Sequence, residues 1–85
     1  MAEPYHARIR ADLLARIESG EWQPGEKLPS TRELVEFYRA KFRSQTLAAS
    51  TVRHAVSMMI VREELRGQQG IGVFVPDEEP DQQSE

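Results

Sequence analysis

The sequence contains no cysteine, and this absence excludes disulfide bonds and thiolate metal sites. It also contains no apolar run close to the roughly 20 residues that a membrane-spanning helix requires. The acidic side chains of Glu3 and Asp12 interrupt the N-terminal stretch, which therefore lacks the apolar region of a signal peptide. Together these absences predict a soluble, cytoplasmic protein with no membrane partner.

Histidine is scarce, and the residue types that carry catalysis form no recognisable pattern. His6 and His54 are the only histidines, and no carboxylate lies at helical metal-binding spacing from both. The glycines at positions 67, 70 and 72 do not form a dinucleotide-binding fingerprint, because no helix follows them. No nucleophile–base pair is evident. We therefore predict that the chain is not an enzyme and has neither a metal site nor a cofactor.

The 85 residues have room for one domain with one modest core, which we place at residues 1–75. Residues 76–85 contain five of the 14 acidic residues and no lysine or arginine, which is typical of a disordered acidic tail. The formal net charge of −3 argues against a nucleic-acid partner. Without the tail, however, eleven basic side chains stand against nine acidic ones, and the domain is weakly basic.

Two amphipathic helices are indicated in the first half of the chain. Apolar residues recur at every fourth position from Tyr5 to Ile17, and Ser19-Gly20 ends this first helix. Ser30 followed by Glu33 has the spacing of a capping box, so a second helix is predicted to begin there. The inward stripe of the second helix is predicted to consist of Leu34, Phe37, Tyr38 and Phe42.

A third helix is indicated further along the chain. Its inward face is predicted to carry Val52, Ala55, Val56, Met59 and Ile60. Its opposite face carries Ser50, Arg53, His54 and Ser57. Such a polar stripe is typical of any solvated helix face, but hydrogen-bonding side chains are also what a helix presents to the major groove of DNA.

A short hairpin is predicted after the third helix. Residues 65–68 and 73–75 flank Gln69-Gly70-Ile71-Gly72, where two glycines allow positive φ at the tip. Pro76 is expected to end the strand pairing. Three helices followed by a two-stranded hairpin predict a mainly α winged helix-turn-helix, with the hairpin as the wing.

Three separate blocks of sequence occur in a characteristic order. They are Pro24-Gly25-Glu26-Lys27-Leu28-Pro29-Ser30, Thr51-Val52-Arg53-His54-Ala55 and Gly70-Ile71-Gly72-Val73-Phe74-Val75. Over about residues 5–75 the chain thereby resembles the DNA-binding domain of the GntR family of bacterial transcription regulators. Leu28-Pro29-Ser30-Thr31-Arg32-Glu33-Leu34 matches the family's Leu-Pro-Ser-x-Arg-Glu-Leu element in order, which implies that Arg32 contacts the operator.

The chain departs from this family pattern at several positions. The stretch from Arg32 to Arg53 is longer than the usual spacing. The Ser-Arg pair that normally opens the recognition helix falls on Ala48-Ala49. Glu63 replaces the usual glycine after the third helix, and Ile71 replaces the basic residue of the wing. Two usual DNA contacts are therefore missing.

The extra residues fall at positions 38–46, which fit either a helix or a loop. Arg39, Lys41 and Arg43 add positive charge there, and the next three residues, Ser44-Gln45-Thr46, add hydrogen-bond donors. Two hypotheses stay open. These side chains contact phosphate and replace the missing contacts, or they belong to a solvated extension of the second helix.

The resemblance implies a sequence-specific transcriptional regulator that binds double-stranded DNA, a repressor in our interpretation, with the third helix in the major groove. It also implies a homodimer, which DNA itself could induce, because palindromic sites need two copies. We expect no effector-binding domain and no small-molecule effector, since ten residues follow the wing. The candidate DNA-binding residues are Ser30, Thr31, Arg32, Lys41, Arg43, Ser50, Thr51, Arg53, His54, Gln69, Gly70 and Gly72.

The alternative function is a winged-helix module that binds another protein and has lost DNA binding. Ala49, Ile71 and the acidic overall balance favour this alternative. An exposed Ile71 together with Met58 would supply an apolar contact surface. Salt dependence discriminates the two functions, because a protein that contacts several phosphates loses DNA affinity steeply as salt rises.

Overall fold

The computed structural model describes residues 3–77. It contains α1 (Tyr5–Glu18), α2 (Thr31–Phe42), α3 (Ala49–Val61), β1 (Arg66–Gln68) and β2 (Gly72–Phe74). The two strands pair in antiparallel fashion, so the predicted mainly α winged helix-turn-helix is confirmed. Of the predicted disordered tail at residues 76–85, all but the first two residues lie outside the described part of the chain. No helix within residues 3–77 has the length and apolar character needed to cross a membrane.

The core lies where α3 packs against both α1 and α2. Ile9 and Leu13 of α1, with Val52 and Met59 of α3, have no exposed surface, as their periodicity predicted. Full burial of one such side chain contributes about 1.5–3 kcal/mol to folding. The apolar stripes of α1 and α3 therefore supply much of the free energy that holds the three helices together.

The inward face of α2 differs from the prediction at one position. Phe37, predicted to face the core, is 42% exposed, and Val35 is buried instead. Because successive residues are about 100° apart around a helix, the fully buried Tyr38 places Phe37 on the flank of α2. The guanidinium of Arg16 lies 4.3 Å from the Phe37 ring centre and covers that ring from α1. The prediction for Phe37 is therefore wrong, because Tyr38 already fills the core beneath α2.

The hydroxyl of Tyr38 is satisfied at the junction of α1 and α2. It donates to Oδ2 of Asp12 at 2.7 Å and accepts from Arg16 at 3.3 Å. Burial, and then the hydrogen bond to Asp12, raises the pKa of Tyr38 well above its usual value, so the hydroxyl stays protonated and keeps donating. Trp22 is buried beside this cluster, with the Arg16 guanidinium 4.4 Å from its ring centre. The network fixes how α2 sits on α1.

The capping box predicted at the start of α2 is present. The Ser30 side chain accepts the backbone N–H of Glu33 at 3.2 Å, and the Glu33 carboxylate accepts the backbone N–H of Ser30 at 2.9 Å. Both bonds satisfy donors that the first helical turn leaves without an intrahelical partner. The sequence therefore determined where α2 begins.

Residues 38–46 are part helix and part loop. The helix continues to Phe42, and Arg43 then takes a left-handed conformation with a φ of 55°. The backbone N–H of Ser44 donates to the carbonyl of Arg39 at 3.0 Å, and the Ser44 hydroxyl accepts the backbone N–H of Thr46 at 3.3 Å. Leu47 then enters the core with 1% of its surface exposed. The extension is thus a tightly bonded corner that leads into α3.

The wing is held to the body of the domain through β2. Gly67 lies opposite Val73 in the hairpin, and the carbonyl of Val73 accepts the backbone N–H of Leu28 at 2.8 Å. The backbone N–H of Val75 donates to the carbonyl of Glu26 at 2.9 Å. The pairing of β2 with β1 therefore stops one residue earlier than predicted, because Val75 bonds to the loop before α2 instead.

The residue at the end of α3 adopts a glycine-like backbone. Glu63, which stands where the family pattern has glycine, has a φ of 65°. This left-handed conformation costs a residue with a Cβ roughly 1–2 kcal/mol, whereas glycine adopts it freely. Glu63 therefore adopts the left-handed backbone conformation of a glycine at a conformational cost that glycine would not have.

Replacing Glu63 with glycine is expected to raise the free energy of unfolding by about 0.5–1 kcal/mol. The gain is the relieved strain less the extra entropy that glycine loses on folding. Urea unfolding measures it, and Glu63→Ala is the matched control, because alanine also removes the carboxylate but keeps the Cβ. Equal stability of the two variants would contradict the prediction.

Candidate nucleic-acid interface

The outer face of α3 presents a row of exposed polar side chains. Ser50, Arg53 and Ser57 are exposed along it, and Thr51 is half-buried at its side. The opposite face is anchored in the core by Val52, among others. A helix held in this way offers hydrogen-bonding groups at fixed positions, which is what reading the edges of bases in the major groove requires.

The first turn of α2 lies against the first half of α3. Thr31 and Arg32 of α2 and Arg53 of α3 line one open cleft of about 460 Å³. The structure therefore brings together three predicted site residues that are up to 22 positions apart in the sequence. Ser30 lies next to them, but its hydroxyl oxygen already accepts a hydrogen bond from the helix N-terminus.

The basic side chains of this cleft are not ion-paired within the described part of the chain. Within residues 3–77, no acidic side chain lies within 4.0 Å of a basic group of Arg32 or Arg53. Elsewhere the ion-paired basic residues are Arg10, Arg16, Lys41 and Arg66. Arg8, Lys27, Arg39, Arg43 and Arg62 also have no acidic partner within 4.0 Å among residues 3–77. The cleft brings Arg32, Arg39 and Arg53 together around one carboxylate, that of Glu36, so an anion such as a phosphate would be attracted there.

Lys41 does not join this group. Its ammonium lies 3.5 Å from Oδ1 of Asp12 and so faces α1, away from the cleft between α2 and α3. Arg43 is exposed at the C-terminal end of α2. The structure thus gives Lys41 a partner within the domain, and a DNA contact stays a prediction for Arg43.

His54 lies at the other side of α3. Its ring meets that of His6 edge-on, with ring centres 4.7 Å apart. The contact joins α3 to the first turn of α1. Arg53 and His54, although adjacent in sequence, therefore lie at opposite edges of the outer face of α3. Among residues 3–77 no cluster of three or more metal-ligating side chains occurs around this pair or elsewhere.

The wing tip is built on two glycines. Gly70 has a φ of 80° and is open to solvent, and the backbone N–H of Ile71 donates to the carbonyl of Gln68 across the turn at 3.0 Å. Gly72 has a φ of 150°, and a Cβ there would lie 2.6 Å from Cε of Lys27. The tip, with Gln69 exposed beside it, is narrow enough to approach a groove or a phosphate closely.

One cleft residue is missing from the predicted site. Arg39 lines the same cleft as Arg32 and Arg53. It follows Arg32 by seven residues, which is two helical turns, and so lies on the same face of α2. This spacing was the signal in the sequence, where Arg39 belonged to one of the two hypotheses for the extension; α2, which extends to Phe42, decides that Arg39 shares a face with Arg32.

The chain resembles several solved structures. They include the NTD of AraR in complex with mutant ORR3, with a TM-score of 0.75 and 24% identity over 88% of this chain and 97% of that one. AraR(DBD) in complex with operator ORR3 has a TM-score of 0.75 and 24% identity, over 88% of this chain and 82% of that one. A GntR family transcriptional regulator from Listeria monocytogenes has a TM-score of 0.75 and 22% identity, over 91% of this chain and 61% of that one. At these identities the likeness shows the fold.

A family model matches most of the chain, whereas curated protein sequences do not match it. The model of the gntR family of bacterial regulatory proteins matches residues 6–75, which is most of the sequence. A family of regulators agrees with the prediction that the chain is not an enzyme. The chain belongs to the gntR family of bacterial regulatory proteins.

Proposed function

We propose that the chain binds double-stranded DNA in a sequence-specific manner and regulates transcription. The main observation in its support is the cleft beside the exposed polar face of α3, whose arginines have no acidic partner within residues 3–77. In the proposed complex α3 lies in the major groove, where Ser50, Arg53 and Ser57 face the base edges. Relatives of the same fold support the proposal, because three AraR(DBD) structures are complexes with the operators ORR3, ORE1 and ORX1.

The remaining candidate residues fix the register on the backbone. Thr31 lines both the cleft, with Arg32, and a second cavity that Gly72 of the wing also lines, so the start of α2 and the wing are neighbours beside α3. Contacts from these elements to phosphates carry no sequence information but set the orientation of the reading helix. Lys41 is not included, because Asp12 already holds its ammonium.

The proposed form on DNA is a homodimer. One recognition helix spans a few base pairs, so a pair of copies on a palindromic site gains both affinity and specificity. Occupation of a promoter by such a pair excludes other proteins from the same grooves, and repression is therefore the proposed effect. The proposal requires no small-molecule effector in residues 3–77.

Selection of genomic fragments with the purified protein tests this function. We expect enrichment of a short motif, followed by a logarithm of affinity that falls linearly with the logarithm of salt concentration, with a slope of about −0.9 for each phosphate contacted. Native mass spectrometry of the complex gives the number of copies bound. No enrichment at low salt by a folded protein would reject the proposal.

A second function is favoured by two exposed apolar side chains. Val61, at the end of α3, is 81% exposed, and Ile71, at the wing tip, is 57% exposed. Exposed apolar residues of this size mark protein contact sites when they form a patch. Retention of a partner protein that Ile71→Lys abolishes, together with failure to bind DNA, would favour an interaction module.

A further inference from the structure

Three arginines line the cleft between α2 and α3. Arg32 and Arg39 line it from positions two turns apart on α2, and Arg53 lines it from α3. Glu36 is the one acidic residue that lines it, and within residues 3–77 no acidic side chain lies within 4.0 Å of a basic group of these arginines. Three positive charges stand against one negative charge in the lining, so the cleft favours an anion.

Arg39 is held in place by the chain itself. Its Nε–H donates to the backbone carbonyl of Leu47 at 2.9 Å. Leu47 is buried, so this carbonyl is a fixed anchor just before α3. One N–H of the guanidinium is thereby used, and the two terminal nitrogens keep their donors for a ligand. A planar fork that is already oriented loses little conformational entropy when it binds a phosphate.

Arg39 lies where it can replace the arginine that the family pattern has at the start of α3. Ala49 stands where the pattern has arginine, and its methyl side chain lines the same cleft without a donor. The extension of α2 carries Arg39 to this place from the other wall. Lys41, two residues further along, is turned to Asp12 of α1 and cannot serve the cleft at the same time.

We propose that this cleft binds one backbone phosphate of DNA, and that Arg39 is a phosphate ligand together with Arg32, while Arg53 at the α3 wall of the cleft reaches the base edges. The proposal rests on the proposed DNA-binding function and adds a contact that the chain gained through its extended α2. We assign this phosphate to DNA because the cleft is continuous with the exposed face of α3, along which a duplex would lie.

The test compares Arg39→Gln with Lys41→Gln in the full chain on the selected DNA fragment. Both variants remove one positive charge from α2, so the overall charge is matched. Arg39→Gln is expected to make the salt slope shallower by about 0.9, which is one phosphate, and Lys41→Gln is expected to leave the slope unchanged. Arg39→Lys should restore the slope, because an ammonium also binds phosphate.

Several outcomes would overturn the proposal. An unchanged slope for Arg39→Gln, even with weaker affinity, would make Arg39 only a positioning residue for the start of α3. Binding of inorganic phosphate to the free protein, lost in Arg39→Gln while the DNA salt slope of that variant is unchanged, would assign the cleft to a free phosphate. Failure of the parent chain to bind any DNA would reject the proposed function as well, so the two failures are distinguishable.

Discussion

Replacing Leu47 with alanine is expected to lower the free energy of unfolding by about 2–5 kcal/mol. Leu47 lies in the corner between α2 and α3, outside any helix, yet 1% of its surface is exposed. Alanine removes buried methyl groups and leaves a cavity that a close-packed core refills only in part. A domain of this size is stable by roughly 0.05–0.15 kcal/mol per residue, so the loss is a large fraction of the total.

Urea unfolding followed by circular dichroism measures this effect. Val61→Ala is the control, because it truncates an aliphatic side chain that is 81% exposed, and we expect it to change stability by less than about 0.5 kcal/mol. A Leu47→Ala variant as stable as the control would show that the corner is not part of the core. The same loss should loosen the carbonyl that anchors Arg39.

Replacing Arg53 with alanine is expected to weaken binding to the selected DNA site by about 1–3 kcal/mol. Arg53 is exposed on the face of α3 that we place in the major groove, and it has no acidic partner within residues 3–77. An arginine in this setting is free to donate a bidentate pair of hydrogen bonds to guanine. Its removal should therefore reduce discrimination as well as affinity.

Binding to the selected site and to a scrambled duplex at one salt concentration measures both quantities. If Arg53 reads bases, the ratio of the two affinities falls; if it contacts only phosphate, both affinities fall together and the ratio is kept. Lys41→Ala removes the same charge from a side chain that faces α1, and it should alter neither affinity by much. Unchanged affinity of Arg53→Ala for the selected site would exclude Arg53 from the interface.

The sequence predicts those parts of the candidate site whose residues lie close together along the chain, and it misses those whose residues lie far apart. The outer face of α3 follows from its 3.6-residue period, and the glycine turn of the wing follows from the residues at its tip. The cleft could not be found in this way, because Arg32 and Arg53 meet only when α2 packs on α3.

The sequence by itself determined the elements whose signals are local. The start of α2 is set by two hydrogen bonds between residues three positions apart, and the buried faces of α1 and α3 are set by helical periodicity. Only the tertiary structure decided which basic side chains are free. Arg39 and Lys41 stand two positions apart on one helix, but Asp12 of α1 neutralises Lys41 while the cleft leaves Arg39 without a carboxylate partner. Charge availability depends on which elements pack together, and a single stretch of sequence does not contain that information.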